Sequence, residues 1–354
     1  MSEAKQSIVK LIKNKINCKS FRWSRSIGLD VQGTTLVITL ASNKAGKNMQ
    51  HLAACFEGWA TILKTYVIDS MPDKYNQVEL RCSDLMLPIE PSTANGHLMR
   101  FLYRVLRFKE QYDWFSVDAS LQSTVALFEN EILNKNKTKL VNNYPIKPST
   151  PINYYNIQNN SLKEYDVECL LAEPPKGYTG KTLHSYFNII KIATKDLIID
   201  HQLPVGLFKN AISDTTRFFT GGKSAIDLWG FNQTEPNDFY IFELKYNNKM
   251  IGMISEIFFY ANYMLDLLDK NGAFTLSNNE GENFRHYSTI YSLKNVSINK
   301  MHAVILANKG YLHPSITKDL VAVLNHGNQK AIEYSIAEYE FDAQQGIITN
   351  IYPK

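Results

Sequence analysis

The chain has 354 residues, 44% of them apolar and 20% charged, with a formal net charge of +4. That balance excludes an intrinsically disordered chain and leaves room for two ordinary domains. The small excess of Lys and Arg permits a polyanionic partner without requiring one. No apolar run approaches the roughly 18 residues of a membrane-spanning helix, so a soluble, cytoplasmic protein with no membrane partner is expected.

Residues 1–17 place Ile8, Leu11, Ile12 and Ile16 on one helical face with lysines opposite. That pattern is an amphipathic helix and lacks the unbroken apolar core of a signal peptide. The β-branched run at 34–40 reads as a strand. It is followed by 41-ASNKAGKN-48, which imitates a phosphate-binding loop, but Ala41 and Asn48 replace the glycine and the hydroxyl such a loop uses. A polar turn is the simpler reading, with Lys44 and Lys47 able to meet an anion at a helix start.

Helical spacing covers 48–67, alternation predicts a strand at 77–83, and a second helix covers 97–115. The basic face of that helix, Arg100, Arg104, Arg107 and Lys109, reads first as a solvated face and second as a phosphate-contacting surface. The four cysteines, Cys18, Cys55, Cys82 and Cys169, form no C-x-x-C pair. They are expected as reduced thiols, and no zinc-site spacing exists among them and the histidines.

Residues 132–160 are rich in Asn, Lys, Pro, Ser and Thr. They divide the chain into an N-terminal α+β domain (1–133), a linker (134–161) and a C-terminal domain (162–354). In the C-terminal part the patterns predict helices at 162–173 and 181–195 and strands at 197–208, 223–231 and 238–246. A long helix at 252–270, a fully apolar strand at 302–308, a helix at 316–326 and a strand at 331–342 follow. A strand meander followed by strand–helix–strand implies an α/β fold with a mixed β-sheet flanked by helices.

The chemistry is concentrated in 239-FYIFELKY-246. Glu243 and Lys245 are two apart and so share one face of a strand. A hairpin about Glu235–Pro236 sets Asp227, from the preceding strand, opposite residues 243–245. Two carboxylates and a lysine suit a hard divalent cation, through which a water can be activated and phosphodiester charge stabilised.

Asp227 followed by Glu243-Leu244-Lys245 on the next strand resembles the PD-(D/E)XK nuclease superfamily. The following helix carries 256-EIFFY-260, where Glu256 and Tyr260 match the Q-x-x-x-Y of RecB-like members with Glu in place of Gln. The resemblance covers roughly 163–354. It implies a restriction-endonuclease-like core and an Mg2+- or Mn2+-dependent nuclease acting on DNA rather than RNA. It implies Asp227 and Glu243 as metal ligands, Lys245 as the third catalytic residue, and Glu256 and Tyr260 in support. A bacterial restriction or other anti-phage setting follows from the same resemblance, with a homo-oligomer or a defence partner protein in keeping with it. Superfamily members often place a Glu on the helix before the first strand. Here His184 stands near that place, and Glu164, Glu168 and Glu173 are substitutes. Arg217 and Lys223, flanking 218-FFTGGK-223, are candidate nucleic-acid contacts. The alternative is an inactive nuclease-like module that only binds nucleic acid or a partner protein.

Overall fold

The computed structural model describes residues 3–83, 85, 95–137, 139–146, 163–192, 196–220, 224–232, 237–269, 272–278 and 284–354. The first half holds α1 (Glu3–Lys15), β1 (Ile27–Gln32), β2 (Thr35–Ala41), α2 (Ser42–Ala45), α3 (Phe56–Leu63) and β3 (Gln77–Ser83). It continues with α4 (Gly96–Gln111), β4 (Phe115–Val117), α5 (Ala119–Leu127), α6 (Asn134–Asn136) and β5 (Leu140–Asn142). The second half holds α7 (Glu164–Ala172), α8 (Leu183–Ile189), β6 (Leu197–Pro204), β7 (Leu207–Lys209), β8 (Ala225–Asn232) and β9 (Asp238–Lys245). It ends with α9 (Gly252–Leu268), α10 (Tyr287–Ser292), β10 (Lys300–Asn308), α11 (Lys318–Asn325), β11 (Ile332–Asp342) and β12 (Ile347–Pro353).

The N-terminal sheet has the order β1-β2-β3-β4, with β1 antiparallel to β2 and the remaining pairs parallel. The larger sheet runs β12-β11-β10-β9-β8-β6. Strands β9, β10 and β11 are parallel, and β6, β8 and β12 are antiparallel to their neighbours, so the sheet is mixed. The interior strands β9 and β10 are apolar along most of their length because both faces are covered. Phe239 and Ile241 of β9 face one core with α9, while Tyr240, Phe242 and Leu244 face another formed with α7 and α8.

The core on the α9 side is continuous across both halves. It joins Phe56, Trp59, Phe101 and Phe108 to Ile254, Phe258 and Phe259. β5, which lies in the expected linker span, pairs with β7. The basic face of α4 is a correction to the sequence reading. Arg100 and Arg104 are 3% and 1% exposed, not solvated. Arg104 is fixed by Glu57 of α3 at 2.6 Å and Arg107 by Asp266 of α9 at 2.6 Å, so the charges are carried into the contact between helices.

Several boundaries also differ. The helix expected from residue 48 begins only at Phe56, after a run of turns. That expected to reach 115 stops at Gln111, since Tyr112 turns extended and Trp114 O accepts from Val78 N of β3. The helix expected over 181–195 ends at Ile189, where Lys191 takes a left-handed conformation (φ 62°) that no helix continues through. Strand 197–208 divides in two between Pro204 and Leu207. No described helix is long and apolar enough to cross a membrane.

Candidate functional site

Strands β8 and β9 pair as Trp229↔Ile241 and Leu228↔Phe242. One step further along this register brings Asp227 opposite Glu243, as the proposed hairpin requires; the turn itself, about Glu235–Pro236, lies outside the described residues. Here the side chain substitutes for the ladder. Asp227 Oδ2 accepts a hydrogen bond from Leu244 N at 2.8 Å. Asp227 is thereby held at the carboxyl end of β9, the end at which open α/β sheets commonly bind ligands.

Lys245 is buried and surrounded by acids. Its Nζ donates to Glu243 Oε1 at 2.6 Å and to Glu164 Oε1 at 3.2 Å, and lies 3.8 Å from Glu256 Oε2. A further bond to Leu244 O at 2.8 Å completes its donors. The acid from the earlier helix is therefore supplied by α7, not by His184, which is exposed on α8. Glu164 starts α7 and also accepts from Tyr246 N at 3.2 Å. Glu168 lies one turn on, close enough to Asp227 for the two charges to repel. Glu256 reaches the cluster from α9, on the sheet face that Glu243 and Lys245 share with Ile241.

These carboxylates outnumber the single ammonium, and burial makes the imbalance felt. Burial pushes Asp227 up to about 7; Lys245 opposes the rise, and Glu164 and Glu256 add to it. Burial, then Asp227 and Glu256, raise Glu243 well above the usual carboxylate range. Burial and then Asp227 raise Glu168 likewise. For Lys245, burial favours the neutral amine, but Glu243, Glu256, Asp227 and Glu164 outweigh it and keep the ammonium charged. Tyr260 stays protonated, raised first by burial and then by Glu256.

The N-terminal half completes the site, which the sequence reading missed. A cleft of about 320 Å³ is lined by Gln50, His97 and Arg100 from that half and by Asp227, Glu256 and Tyr260 from the other. The Gln50 side-chain amide donates to Glu256 Oε1. Gly252 allows this approach: a Cβ there would stand 2.5 Å from Gln50 O and 2.7 Å from its Cα. Gln202, also on the cleft, sits in β6 with φ 53° and donates to Glu168 Oε2 at 2.5 Å. A non-glycine residue in that conformation within a strand is strained, and such strain gathers at functional sites.

The donor chemistry can be set against a divalent ion. Among the described residues Glu243 Oε2 and Glu256 Oε2 are buried without a fixed hydrogen-bond donor, and the two carboxyls can bond to each other only when one is protonated. Orphaned carboxylate oxygens beside Asp227 are hard donors suited to Mg2+, and a cation there offsets the excess negative charge. Yet the side chains lie folded onto Lys245, and among the described residues no group of three or more His, Cys, Asp or Glu is arranged to hold a metal. The residues fit such an ion in kind; a preformed cage is absent among them.

Of the other candidates, Arg217 pairs with Asp214 and shows no bond to the cluster. Lys223 lies outside the described residues. The 41–48 segment forms the end of β2 and the short helix α2, and its last residue, Asn48, lines the cleft. No family model matches the chain, and neither the curated proteins nor the solved structures contain a match.

Proposed function

We propose that the chain is a Mg2+- or Mn2+-dependent nuclease hydrolysing phosphodiester bonds, with DNA preferred to RNA. The observation that carries this reading is the convergence of Asp227, Glu243 and Lys245 at the carboxyl end of β9, joined by acids from α7 and α9. The order β8–β9–α9–β10, with β8 antiparallel and β10 parallel to β9, supports the resemblance to the PD-(D/E)XK superfamily.

In this reading Asp227 and Glu243 hold the divalent cation, which when bound supplies a Lewis acid and an activated water. Once Glu243 turned to the cation, the N–H that Lys245 now gives it would be free to point at the attacking water or at the phosphate charge that develops. Glu164 and Glu256 keep that ammonium in place, and burial keeps Tyr260 a hydrogen-bond donor on the cleft wall. Packing of α9 against β9 and β10 holds the group rigid.

A second reading, a non-catalytic nucleic-acid-binding module, is favoured by the way the acids close on Lys245 instead of gathering round a common point. One experiment separates them: a panel of DNA and RNA incubated with Mg2+ or Mn2+, wild type beside Lys245→Ala, with EDTA controls. The nuclease reading expects metal-dependent cleavage lost in the variant. Cleavage that survives Lys245→Ala removes the site from consideration, and binding with no cleavage by either protein favours the module.

A further inference from the structure

Arg100 belongs to α4 in the N-terminal half but lines the cleft beside Asp227 and Glu256. It is 3% exposed. Its Nη1 donates to Ser224 Oγ at 3.0 Å, and its Nη2 stands 3.1 Å from His97 Nδ1. Both partners are neutral, since burial, helped by the charge of Arg100, pushes His97 down to about 4. The guanidinium also lies over the Phe259 ring, 5.3 Å from its centre.

The other arginines of α4 are treated differently. Arg104 has Glu57, and Arg107 has Asp266. Among the described residues Arg100 pairs with no carboxylate. The charge of Glu256 attracts it across the cleft without forming an ion pair. A buried guanidinium with no paired carboxylate is costly, and this one faces a cleft through which an anion can arrive. Also on the cleft, Thr220 Oγ1 is buried and, among the described residues, has no hydrogen-bond partner. The Arg fork and a free hydroxyl together suit a tetrahedral oxyanion. The facing wall, with Asp227 and Glu256, suits a cation. A ligand satisfying both walls is a phosphate group accompanied by a divalent cation.

We propose that Arg100 receives a non-bridging oxygen of the substrate phosphodiester, so that the N-terminal half supplies the anion side of the site. This rests on the nuclease reading for the identity of the phosphate. Arg100 thus binds substrate, while Asp227 of β8 and Glu243 of β9 would hold the ion.

The test measures binding, not turnover. Full-length protein is mixed with a fluorescein-labelled DNA duplex in Ca2+ in place of Mg2+, and anisotropy is followed from low to high salt. Arg100→Met is expected to weaken binding at least about tenfold, the scale of a charge-assisted hydrogen bond. The slope of log K against log salt is expected to fall by about one contact's worth, roughly 0.9. Arg100→Lys, which keeps the charge but not the fork, falls between and carries the test if Arg100→Met does not fold by circular dichroism. Folded variants with wild-type affinity and slope overturn the proposal. So does thermal stabilisation of the wild type by inorganic phosphate with no duplex binding, which makes the anion a small molecule. If the Arg100 variants lose binding but wild type never cleaves in Mg2+, the nuclease reading falls and the phosphodiester contact stands.

Discussion

Glu164 Oε1, on the first turn of α7, lies 3.2 Å from Lys245 Nζ at the end of β9, across 81 positions of sequence. The other oxygen of the same carboxylate takes the N–H of Tyr246. One side chain thus fixes both the lysine and the backbone just beyond it. Lys245 is held from the strand, from α7 and from α9 together, and its direction is set by packing that the strand alone does not provide.

That geometry separates two variants. Lys245→Met is expected to lower metal-dependent cleavage by about 100-fold or more, the usual scale for removing a preorganised donor to developing charge. Glu164→Gln, which leaves the ammonium tied to Glu243, is expected to lose about tenfold. Single-turnover cleavage assays compare them. Equal losses in the two proteins contradict the assignment of Glu164 as a positioning residue.

The buried pair Glu57–Arg104 ties α3 to α4 within the first half and is met there by Ser255 of α9. Arg104 donates to both oxygens of Glu57 at 2.6 Å, and Ser255 of α9 donates to the same carboxylate at 2.6 Å. Arg104→Met leaves a buried carboxylate without its counter-charge and is expected to cost about 3–5 kcal/mol. Glu57→Gln/Arg104→Met removes both charges and is expected to cost less than Arg104→Met alone. Denaturant titrations measure both, and a loss under about 1 kcal/mol for Arg104→Met rules out the pair as a main tie of this packing.

Gly252→Ala is expected to push residues 48–50 away from α9, because the new methyl meets backbone and not a flexible side chain. The bond from Gln50 to Glu256 is lost as a result. The expected outcome is a lower melting temperature together with weaker Mg2+ dependence of cleavage. Gln50→Ala, which removes the bond without the collision, should reproduce the second effect only.

On mild acidification two opposed contributions are expected: the raised carboxyls of Asp227, Glu243 and Glu168 take up protons in the folded state and add stability, while buried histidines remove it. His313 is pushed down to about 4, first by burial and then by the charge of Lys249. Its Nδ1 lies 2.6 Å from Ser315 Oγ, and Phe21 packs on its ring. The unfolded chain titrates near 6.5. Between these values the unfolded state binds more protons, so the contribution is complete above about 6.5 and is lost as pH falls through about 4. His313→Gln should remove this loss, so that between about 4 and 6.5 its melting temperature falls less, or rises more, on acidification than that of the wild type. His97, depressed in the same direction by burial, Arg100, Arg104 and Lys47, leaves a residual slope. An unchanged profile in the variant contradicts a neutral buried His313.

The sequence carried the centre of the site because its signals there are local. Parity places Glu243 with Lys245, and a hairpin centre near residue 235 puts Asp227 across from them, which the observed register obeys. The apolar runs of β9 and β10 marked the sheet interior for the same reason. Gln50 was not legible as a site residue, and Arg100 was legible only within a basic row whose second reading was a phosphate-contacting surface. No periodicity joins residue 50 to residue 256, and an arginine row reads as solvated until the acids of neighbouring helices are seen against it. The left-handed Gln202 was hidden for another reason, since glutamine carries no local preference for that backbone. β12 escaped notice because its alternation includes Thr349 and Asn350 at a sheet edge, where polar residues are ordinary.

The continuous core has a bearing on ancestry. A C-terminal half that could travel between proteins would need a surface to close over Phe258 and Phe259, and here that surface includes Phe108 and Tyr103 of α4. Residues 162–354 expressed alone would leave these rings bare. Recombination that exchanged one half would break the cleft as well as the packing. The two halves are therefore expected to be inherited together, with changes on α4 and α9 accepted in pairs.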